Sequence, residues 1–411
     1  MKILMFSELY PPLMGGVSRH VQSLSRELAQ RGHEVTVCTL RHGNSPKYEK
    51  EDELKIHRLE GLFQRIPFIY RNPAVRYHPP VQDRLLTKQL ASIIAAEQPD
   101  ILHTHGWILY SVVPLKRNLS IPLVTTLHGY ELYCPTTLLV NRKAVCHQTV
   151  GRHCILCSRD HYGLIKSLAC YYGIRTNKDK VRSVDKFIAV SSFVKEASCR
   201  ALQLSDEDIV MVPPFCTAEA ATNEIRVDNL PEDFILFVGF LRPHKGVDVL
   251  MEAYQELHTQ TKLVLIGYVH PDYAYQSTGN ILVTEDAPHD AVMEAMSRCR
   301  FAVFPSAWPE PFGVVAIEAM RQRKAVIASD IGGLRDIVIN GETGILVPSN
   351  DSGKLAKAIS LLLENPEMAS GMGEKGYQRF VQNYTPDAVI PRIVDVYERM
   401  IGFQQHGPTE G

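Results

Sequence analysis

The segment Glu310-Pro-Phe-Gly-Val-Val-Ala-Ile-Glu318 places two carboxylates around a turn that opens a helix. The residues before it, Phe301–Ser306, form an apolar run that ends in a proline, which is typical of a buried strand. A proline and a glycine favour the turn, and the helix is predicted over Val314–Arg323. Backbone N–H groups at the start of a helix have no partners within the helix and attract anions. Glu318 lies four residues after Val314, so it projects from the same helix face as Val314, one turn later. The segment therefore predicts an anion site at a helix tip, with a carboxylate on either side.

A second segment, Phe234–Gly239, is a β-rich apolar run followed by a loop that contains Arg242 and Lys245. In open α/β sheets, ligands bind at the loops that follow the carboxyl ends of the strands. The planar guanidinium group of arginine can donate two hydrogen bonds to phosphate oxygens, and the lysine ammonium group supplies a compact positive charge, so both suit a diphosphate. This loop is therefore a second candidate for binding phosphate groups.

In this order along the chain, the two segments resemble the motifs of the retaining glycosyltransferases of family 4, which have the GT-B fold. The resemblance extends from Met1 to about Met400. It implies an α/β protein with two Rossmann-like, doubly wound parallel-sheet domains that face a central cleft. It also implies transfer of a hexose, with retained anomeric configuration, from a UDP- or GDP-sugar to a hydroxyl of a glycan, lipid or small-molecule acceptor. Synthesis of a cell-surface glycan, glycolipid or polysaccharide is the expected setting.

The hydrophobic pattern is typical of the same architecture. A strand at Lys2–Ser7, a helix at Val17–Arg31 and a strand at Glu34–Leu40 are predicted, which is how a Rossmann-like domain begins. We expect an acceptor-side domain over residues 1–218, a nucleotide-sugar-binding domain over 219–385, and a helix over 386–403 that packs back on the first domain. Further strands are predicted at Ile101–His103, Leu123–Thr126, Phe187–Val190, Ile209–Val212, Phe234–Gly239, Lys262–Gly267, Ile281–Val283, Phe301–Phe304 and Ala325–Ala328.

The resemblance implies distinct roles for the charged residues. Glu310 would contact hydroxyls of the transferred sugar, and Glu318 would accept hydrogen bonds from the ribose. Arg242, Lys245 and the helix N-terminus would stabilise the departing diphosphate, so no metal cofactor is expected for the transfer. The expected donor-binding residues are Gly15, Gly16, Arg242, Lys245, Glu310, Phe312, Gly313, Val314, Val315 and Glu318.

Two positions in the first half have both a structural and a functional interpretation. Gly15 and Gly16 form either a plain turn or a backbone that a ligand must approach closely. His128 ends a predicted strand, and such a histidine is often structural. The resemblance places it beside the donor sugar, and we expect it to act in catalysis together with Glu310, Arg242 and Lys245. His103 and His105 are expected to pack or to contact the acceptor and not to bind a metal.

Four of the nine cysteines fall within 24 residues: Cys134, Cys146, Cys154 and Cys157. The last two have the Cys-x2-Cys spacing of zinc ligands. A structural zinc that holds the insert after His128 is predicted. Unpaired buried thiols and a labile disulfide are the alternatives.

The net charge of −1 hides an asymmetry between the two halves of the chain. Residues 1–218 contain 28 Lys and Arg against 19 Asp and Glu, and residues 219–411 contain 16 against 26. The basic half suits an anionic partner, such as a phosphorylated acceptor or an anionic membrane. Attraction between the two domains explains the asymmetry equally well. No role in nucleic acid binding is expected.

Residues 62–80 interleave aromatic and arginine side chains, which suits lipid headgroups or an acceptor. A plain amphipathic element would look the same. These side chains are Phe63, Arg65, Phe68, Tyr70, Arg71, Arg76 and Tyr77. No apolar run reaches 18 residues and the N-terminus is not typical of a signal peptide. A cytoplasmic protein with peripheral contact at the inner face of the membrane is therefore expected.

Two letter patterns are set aside. Gly371-x-Gly373-x-x-Gly376 matches a dinucleotide fingerprint but does not follow a strand. Asp206-Glu207-Asp208 resembles a metal-binding triplet and is interpreted as a solvated loop. Two other functions remain open, namely a GT-B-fold nucleotide-sugar epimerase and a non-catalytic nucleotide-sugar-binding protein.

Overall fold

The computed structural model describes residues 1–13, 15–66, 70, 76–141, 144–217, 227, 229–269, 273, 275–285 and 287–406. The chain divides into two compact units. The first comprises residues 1–139, 146–213 and 389–411, and the second comprises 140–145 and 214–388. Each unit contains one predominantly parallel sheet with helices packed against it.

The sheet of the first unit has the spatial order β10-β9-β6-β5-β1-β2-β4-β3. All neighbouring strands are parallel except the edge pair of β3 and β4. The chain runs from β1 outward to β2 and β4 and then continues with β5 on the other side of β1, so the switch point lies between β1 and β5. The strands of this sheet are β1 (Lys2–Ser7), β2 (Glu34–Leu40), β3 (Tyr48–Glu51), β4 (Leu54–Leu59), β5 (Ile101–His105), β6 (Leu123–Leu127), β9 (Lys186–Ala189) and β10 (Ile209–Met211). A separate two-stranded hairpin, β7 (Val140–Asn141) and β8 (Ala144–Val145), belongs to the second unit.

The sheet of the second unit is parallel throughout and has the order β13-β12-β11-β14-β15-β16. Its winding reverses between β11 and β14, so the loops after these two strands border the switch point. The strands are β11 (Phe234–Val238), β12 (Lys262–Ile266), β13 (Ile281–Thr284), β14 (Ala302–Phe304), β15 (Val326–Ser329) and β16 (Gly344–Val347).

Helices connect most of the parallel strands, and several begin at a side-chain cap. Hydrogen bonds from the first helical turn are accepted by Asp83 before α2 (Arg84–Glu97), Ser191 before α6 (Ser192–Leu202), Asp351 before α11 (Ser352–Glu364) and Thr385 before α13 (Pro386–His406). Such caps satisfy N–H groups that have no partner within the helix. The helices are α1 (Gly16–Gln30), α2 (Arg84–Glu97), α3 (Leu109–Lys116), α4 (His153–Tyr162), α5 (Leu164–Val181), α6 (Ser192–Leu202), α7 (Val247–Gln255), α8 (His289–Arg298), α9 (Val314–Arg321), α10 (Leu334–Ile337), α11 (Ser352–Glu364), α12 (Pro366–Asn383) and α13 (Pro386–His406).

The central strands are buried on both faces, which is why their sequences are apolar runs without alternation. Ile3, Leu4 and Met5 in β1 and Ile235 and Leu236 in β11 all lie in the core. The predicted fold class, two parallel-sheet α/β domains, is confirmed. Within the described residues, no helix is both long enough and apolar enough to span a membrane.

The pattern Gly371-x-Gly373-x-x-Gly376 lies inside α12 and does not follow a strand. A Cβ atom on Gly373 would lie 2.0 Å from the carbonyl oxygen of Arg323, and one on Gly376 would lie 3.2 Å from Met320. These two glycines therefore let α12 approach the end of α9 closely, which is a packing role and not a phosphate-binding one.

Candidate active site

The loops after β11 and β14 are held against each other at the carboxyl edge of the second sheet. Gly246 adopts a φ of +77°, and a Cβ atom there would lie 1.8 Å from the carbonyl oxygen of Pro305. The N–H of Ala307 donates to the carbonyl of His244 at 2.9 Å. The first loop carries Arg242 and Lys245, and these contacts bring it beside the loop that leads to Glu310.

Lys245 and Glu310 form an ion pair at this edge. Lys245 Nζ lies 2.8 Å from Glu310 Oε1 and 2.7 Å from Oε2. The side chains are 20% and 15% exposed, so the pair is only partly solvated. From the sequence, Glu310 was expected to contact sugar hydroxyls and Lys245 the diphosphate. In the structure, the charge of each side chain is instead neutralised by the other.

Trp308 and Ser306 position the Glu310 carboxylate. Trp308 Nε1 donates to Glu310 Oε2 at 2.9 Å, and Ser306 Oγ donates to the same oxygen at 3.3 Å. Lys245 Nζ also lies 5.2 Å from the centroid of the Trp308 ring, within the range of a cation–π contact. The sequence analysis missed Trp308, although its place two residues before Glu310 in a loop after a buried strand could have indicated it.

Arg242 presents an N–H donor that the described residues leave without a hydrogen-bond partner. Its Nε is buried and makes no hydrogen bond to a described residue, while its guanidinium carbon lies 5.7 Å from the centroid of the Phe240 ring. A buried donor without a partner costs about 1–3 kcal/mol. A ligand oxygen that accepts from this group would remove that cost.

The N-terminus of α9 faces the turn that follows Glu310. Gly313 has a φ of +108°, and no side chain caps this end of the helix. Val314 and Val315 are partly exposed, whereas Phe312 is 4% exposed with its ring centroid 5.9 Å from that of Tyr384. Backbone N–H groups are therefore the natural anion-binding groups here, and the Phe312 side chain serves the core.

Glu318 lies one turn into α9 and is 8% exposed. Its Oε1 lies 3.6 Å from Nε2 of His289, the first residue of α8. The structure thus places Glu318 beside a histidine that the sequence analysis did not identify.

Gly332 and Gly333 pack directly on the turn that carries Glu310. Cβ atoms at these positions would lie 2.4 Å from the carbonyl oxygen of Glu310 and 2.5 Å from that of Pro311. The N–H of Gly333 donates to the Glu310 carbonyl at 2.7 Å. These two glycines therefore let the following loop pack directly on the backbone of the turn that carries Glu310.

In the first unit, polar side chains collect at the carboxyl ends of β1, β5 and β6. Glu8 follows β1, His105 ends β5 and His128 follows β6. His105 Nδ1 and His128 Nε2 are 2.9 Å apart, and a Cβ atom on Gly106 would lie 2.7 Å from Glu8 Oε1. Because β6, β5 and β1 are neighbours, these groups share the edge that borders the switch point.

Burial shifts the acid–base behaviour of this cluster. It raises the pKa of Glu8 to about 8 and that of Glu131 to about 7, although backbone hydrogen bonds oppose both shifts. Burial also lowers the pKa of His20 to about 4 and holds the pKa of His128 well below its usual value. Near neutral pH these histidines are therefore uncharged. The sequence analysis identified His128 but missed Glu8, Glu131 and His20.

His103 has two buried hydrogen-bond partners. Its Nδ1 lies 2.6 Å from Tyr397 Oη in α13, and its Nε2 lies 2.8 Å from Thr126 Oγ1. Burial lowers the pKa of His103 to about 3. These contacts give His103 a packing role inside the first unit.

Gly15 and Gly16 precede and begin α1. The backbone of Gly15 is extended, and a Cβ atom at either position would meet nothing within 4 Å among the described residues. The fold itself therefore does not require glycine here. The space beside this backbone is compatible with the predicted close approach of a ligand.

The four clustered cysteines are neighbours, but they do not form a ready-made metal site. None of the four forms a disulfide, and burial together with the other three thiols raises the pKa of Cys154 to about 11. Within the described residues, no group of three or more His, Cys, Asp or Glu side chains is arranged to hold a metal ion. The predicted zinc geometry is thus not seen.

The described side chains of residues 62–80 and the turn at residues 206–208 make local hydrogen bonds. Arg76 Nη1 donates to the carbonyl of Gln64 at 2.6 Å, and Tyr70 Oη donates to that of Tyr77 at 2.9 Å. Phe68 and Arg71 lie outside the described residues. Asp208 accepts hydrogen bonds from Ser205, as expected for a polar turn.

Sequence models of two families match consecutive parts of the chain. The model described as Glycosyltransferase Family 4 matches residues 14–219. The model described as Glycosyl transferases group 1 matches residues 221–379. The first match lies mostly in the unit that contains His105 and His128, and the second lies in the unit that contains Arg242, Lys245 and Glu310.

Individual proteins match the chain over almost its full length. An uncharacterized glycosyltransferase of Methanocaldococcus jannaschii, MJ1178, is 28% identical, with 97% of this chain and 99% of that protein covered. The structure of a sucrose-phosphate synthase from Thermosynechococcus elongatus has a TM-score of 0.74 and 21% identity, covering 98% of this chain and 100% of that one. The structure of Anabaena Alr3699/HepE in complex with UDP-glucose has a TM-score of 0.67 and 16% identity, covering 97% and 100%. The structural matches establish the GT-B fold.

Proposed function

Because the chain belongs to glycosyltransferase family 4, we propose that it is a retaining hexosyltransferase that uses a nucleoside diphosphate sugar. The observation that carries the proposal is the edge of the second sheet where Arg242, Lys245, Glu310 and the N-terminus of α9 meet. Cationic groups, backbone N–H donors and a carboxylate are the groups that a sugar diphosphate requires.

The donor diphosphate is proposed to bind Arg242, Lys245 and the backbone at residues 313–315. The buried Nε–H of Arg242 has no hydrogen-bond partner among the described residues, so a phosphate oxygen would satisfy it. Lys245 would turn from Glu310 towards phosphate, and Glu310 would then accept from the sugar hydroxyls. Glu318 would accept from the ribose.

The proposed chemistry is a substitution on one face of the sugar. The bond between the anomeric carbon and the β-phosphate oxygen breaks, and its electron pair leaves with the diphosphate. The acceptor oxygen bonds to the same face, and its proton passes to a phosphate oxygen. Preorganised cations and amide dipoles stabilise the charge that develops on the leaving group.

The first unit is proposed to bind the acceptor and to contact the transferred sugar. His128 is neutral near pH 7 because burial holds its pKa well below the usual value. It is therefore proposed as a hydrogen-bonding group and not as an acid. Because burial raises the pKa of Glu8 to about 8, this carboxyl is mostly protonated near neutral pH and can donate as well as accept hydrogen bonds. Burial raises the pKa of Glu131 to about 7, so both of its protonation states are populated there.

A UDP-hexose is the first donor to test, because the similar Anabaena protein was solved with UDP-glucose. GDP-hexoses form the second group. The acceptor is proposed to be a hydroxyl of a glycan, a lipid or a small molecule.

The deciding experiment incubates purified protein and donor with and without mixed hydroxyl acceptors and follows products by mass spectrometry and NMR. The proposal predicts a new glycoside, formed only with acceptor, whose anomeric configuration equals that of the donor. An inverted product contradicts the retaining mechanism. Conversion of the donor alone to another nucleotide sugar supports the epimerase, and tight binding without turnover supports a binding protein.

Zinc binding by Cys134, Cys146, Cys154 and Cys157 is a separate proposal, supported by the Cys-x2-Cys spacing of the last two and by the electrostatic interaction of Cys154 with the other three thiols. None of the nine cysteines forms a disulfide, which suits a reducing compartment, and a cytoplasmic location is proposed. Elemental analysis of protein purified without chelators is expected to give about one zinc per chain. A Cys154→Ser and Cys157→Ser variant is expected to lose it. A zinc-free wild-type protein would contradict the proposal.

A further inference from the structure

Helices α4 and α5 carry an unusual number of exposed apolar side chains. Of the large apolar side chains that the described residues expose, five lie in these two helices: Leu156, Tyr162, Leu164, Ile165 and Tyr172. Ile165 is 84% exposed, the highest value among them. A concentration of this kind marks an interaction surface, whereas single exposed apolar residues do not.

The bend between the two helices concentrates this apolar surface. Gly163, with a φ of +76°, separates α4 from α5, and the helices pack against each other on either side of it. Leu164 and Ile165 are the first two residues of α5 and directly follow this bend. We call the exposed surface of residues 152–172 the hairpin surface.

The opposite face of α5 already has its partners in the first unit. Tyr171, Ile174 and Val181 are buried there. Ser167 Oγ donates to the carbonyl of Gly163 at 2.8 Å, and Asn177 Nδ2 donates to that of Pro80 at 3.3 Å. The apolar side chains of the hairpin surface are therefore not needed to hold the helix in place.

Basic residues accompany the apolar ones. Residues 152–172 contain three Lys and Arg against one Asp. Arg152 and Arg159 are exposed on or next to α4, and Lys166 follows Ile165. Arg159 Nε lies 3.6 Å from Asp160 Oδ1, in a pair whose side chains are 55% and 78% exposed. A solvated pair of this kind is weak and leaves the arginine available to a stronger anion.

We propose that the hairpin surface docks on an anionic phospholipid bilayer. Leu164 and Ile165 would enter the boundary between headgroups and acyl chains, while Arg152, Arg159 and Lys166 contact lipid phosphates. Apolar side chains flanked by cations gain from both parts of that boundary. The inference does not depend on the transfer reaction, and it concerns a different surface from residues 62–80.

The first test is flotation of the full chain with vesicles, in the absence of donor and acceptor. We expect binding to vesicles of phosphatidylglycerol and phosphatidylcholine in equal parts, and little binding to phosphatidylcholine alone. Leu164→Ser with Ile165→Ser should lower the bound fraction on the order of tenfold or more, because two apolar side chains no longer enter the bilayer. The matched control is Leu361→Ser with Met368→Ser, which alters exposed apolar residues of the second unit and should bind like wild type.

Separate variants test the contribution of the basic residues and the insertion of residue 164 into the bilayer. Arg159→Glu with Lys166→Glu should abolish binding to anionic vesicles, whereas Lys357→Glu with Lys375→Glu in the second unit should preserve it. Leu164→Trp should show a blue-shifted emission when anionic vesicles are added. Absence of that shift, or equal binding by the serine double variant, overturns the proposal. So does a concentration-dependent dimer that only the serine variant abolishes, since the occupant is then a second copy of the chain.

Discussion

Lys245 and Glu310 hold each other in place before any ligand arrives. Lys245 Nζ contacts both carboxylate oxygens, and Trp308 Nε1 donates to one of them at 2.9 Å. If Lys245 binds the donor diphosphate as proposed, the phosphates must compete with the carboxylate for the lysine. The ion pair would then lower donor affinity while it orients both side chains before the reaction.

Replacing Lys245 tests its proposed role as a charge partner of the leaving group. Lys245→Ala is expected to lower kcat on the order of 100-fold or more, since it removes one preorganised charge partner. Lys245→Arg should recover part of the loss because the charge is kept. Steady-state kinetics measure both variants, with Lys375→Ala as the control. Near wild-type turnover by the alanine variant would exclude the role.

Glu8 should make the stability of the protein depend on pH. Burial raises its pKa to about 8, whereas a glutamate in an unfolded chain titrates near about 4.3. Between these values the folded state holds more protons than the unfolded state, so a rise in pH lowers the free energy of unfolding. Glu8→Gln does not titrate, and its Tm relative to wild type should rise from pH 5 to pH 8. A difference that stays constant over this window, as judged against the exposed Glu342→Gln control, would contradict the buried carboxyl.

Helix α12 contains one glycine, Gly373, that close packing requires and another, Gly371, that it does not. A Cβ atom on Gly373 would lie 2.0 Å from the Arg323 carbonyl oxygen, whereas one on Gly371 would meet nothing within 4 Å. The two residues lie two positions apart in the same helix, so they share the same helix propensity. Only the packing against α9 differs.

Alanine substitutions at these two glycines should therefore have opposite effects. Gly373→Ala is expected to lower the free energy of unfolding by about 1–3 kcal/mol through overpacking. Gly371→Ala should raise it by about 0.5–1 kcal/mol because alanine is the better helix former. Chemical denaturation measures both. Equal shifts of the same sign would show that α12 does not pack as described.

The elements that the sequence predicted well are those buried on both faces. The strand at Glu34–Leu40 was predicted with the observed bounds because all its interior residues face the core. β4, Leu54–Leu59, was missed because Lys55, His57 and Arg58 interrupt its apolar residues. β3 was missed because Tyr48–Glu51 is a polar edge strand that pairs antiparallel with β4. Burial on one face or at an edge leaves a weaker pattern.

The charged residues of the proposed donor site could be predicted from the sequence, but the contacts between them could not. Glu310, Lys245 and Arg242 follow or precede recognisable strands and turns, so sequence spacing identified them. The ion pair of Lys245 with Glu310 and the support from Trp308 depend on two loops that lie far apart in sequence. Glu8 and Glu131 were missed because a pKa raised by burial requires a known environment.

The positive groups of the donor site lead to a prediction about divalent ions. In the proposed mechanism, Arg242, Lys245 and the N-terminus of α9 supply the positive charge that stabilises the leaving diphosphate. Transfer activity is therefore expected to persist in excess EDTA, within about twofold of its value without chelator. Activity assays with EDTA, and with magnesium added back, measure this. Complete loss of activity that magnesium alone restores would contradict the proposed electrostatics.

A crystal structure with bound UDP is the decisive test of the proposed diphosphate site. The diphosphate oxygens are expected within hydrogen-bond distance of Arg242, Lys245 and the backbone N–H groups of residues 313–315. Lys245 should have moved from Glu310 towards phosphate, and the ribose should face Glu318. Phosphates bound elsewhere, with the Lys245–Glu310 pair unchanged, would contradict the proposed site.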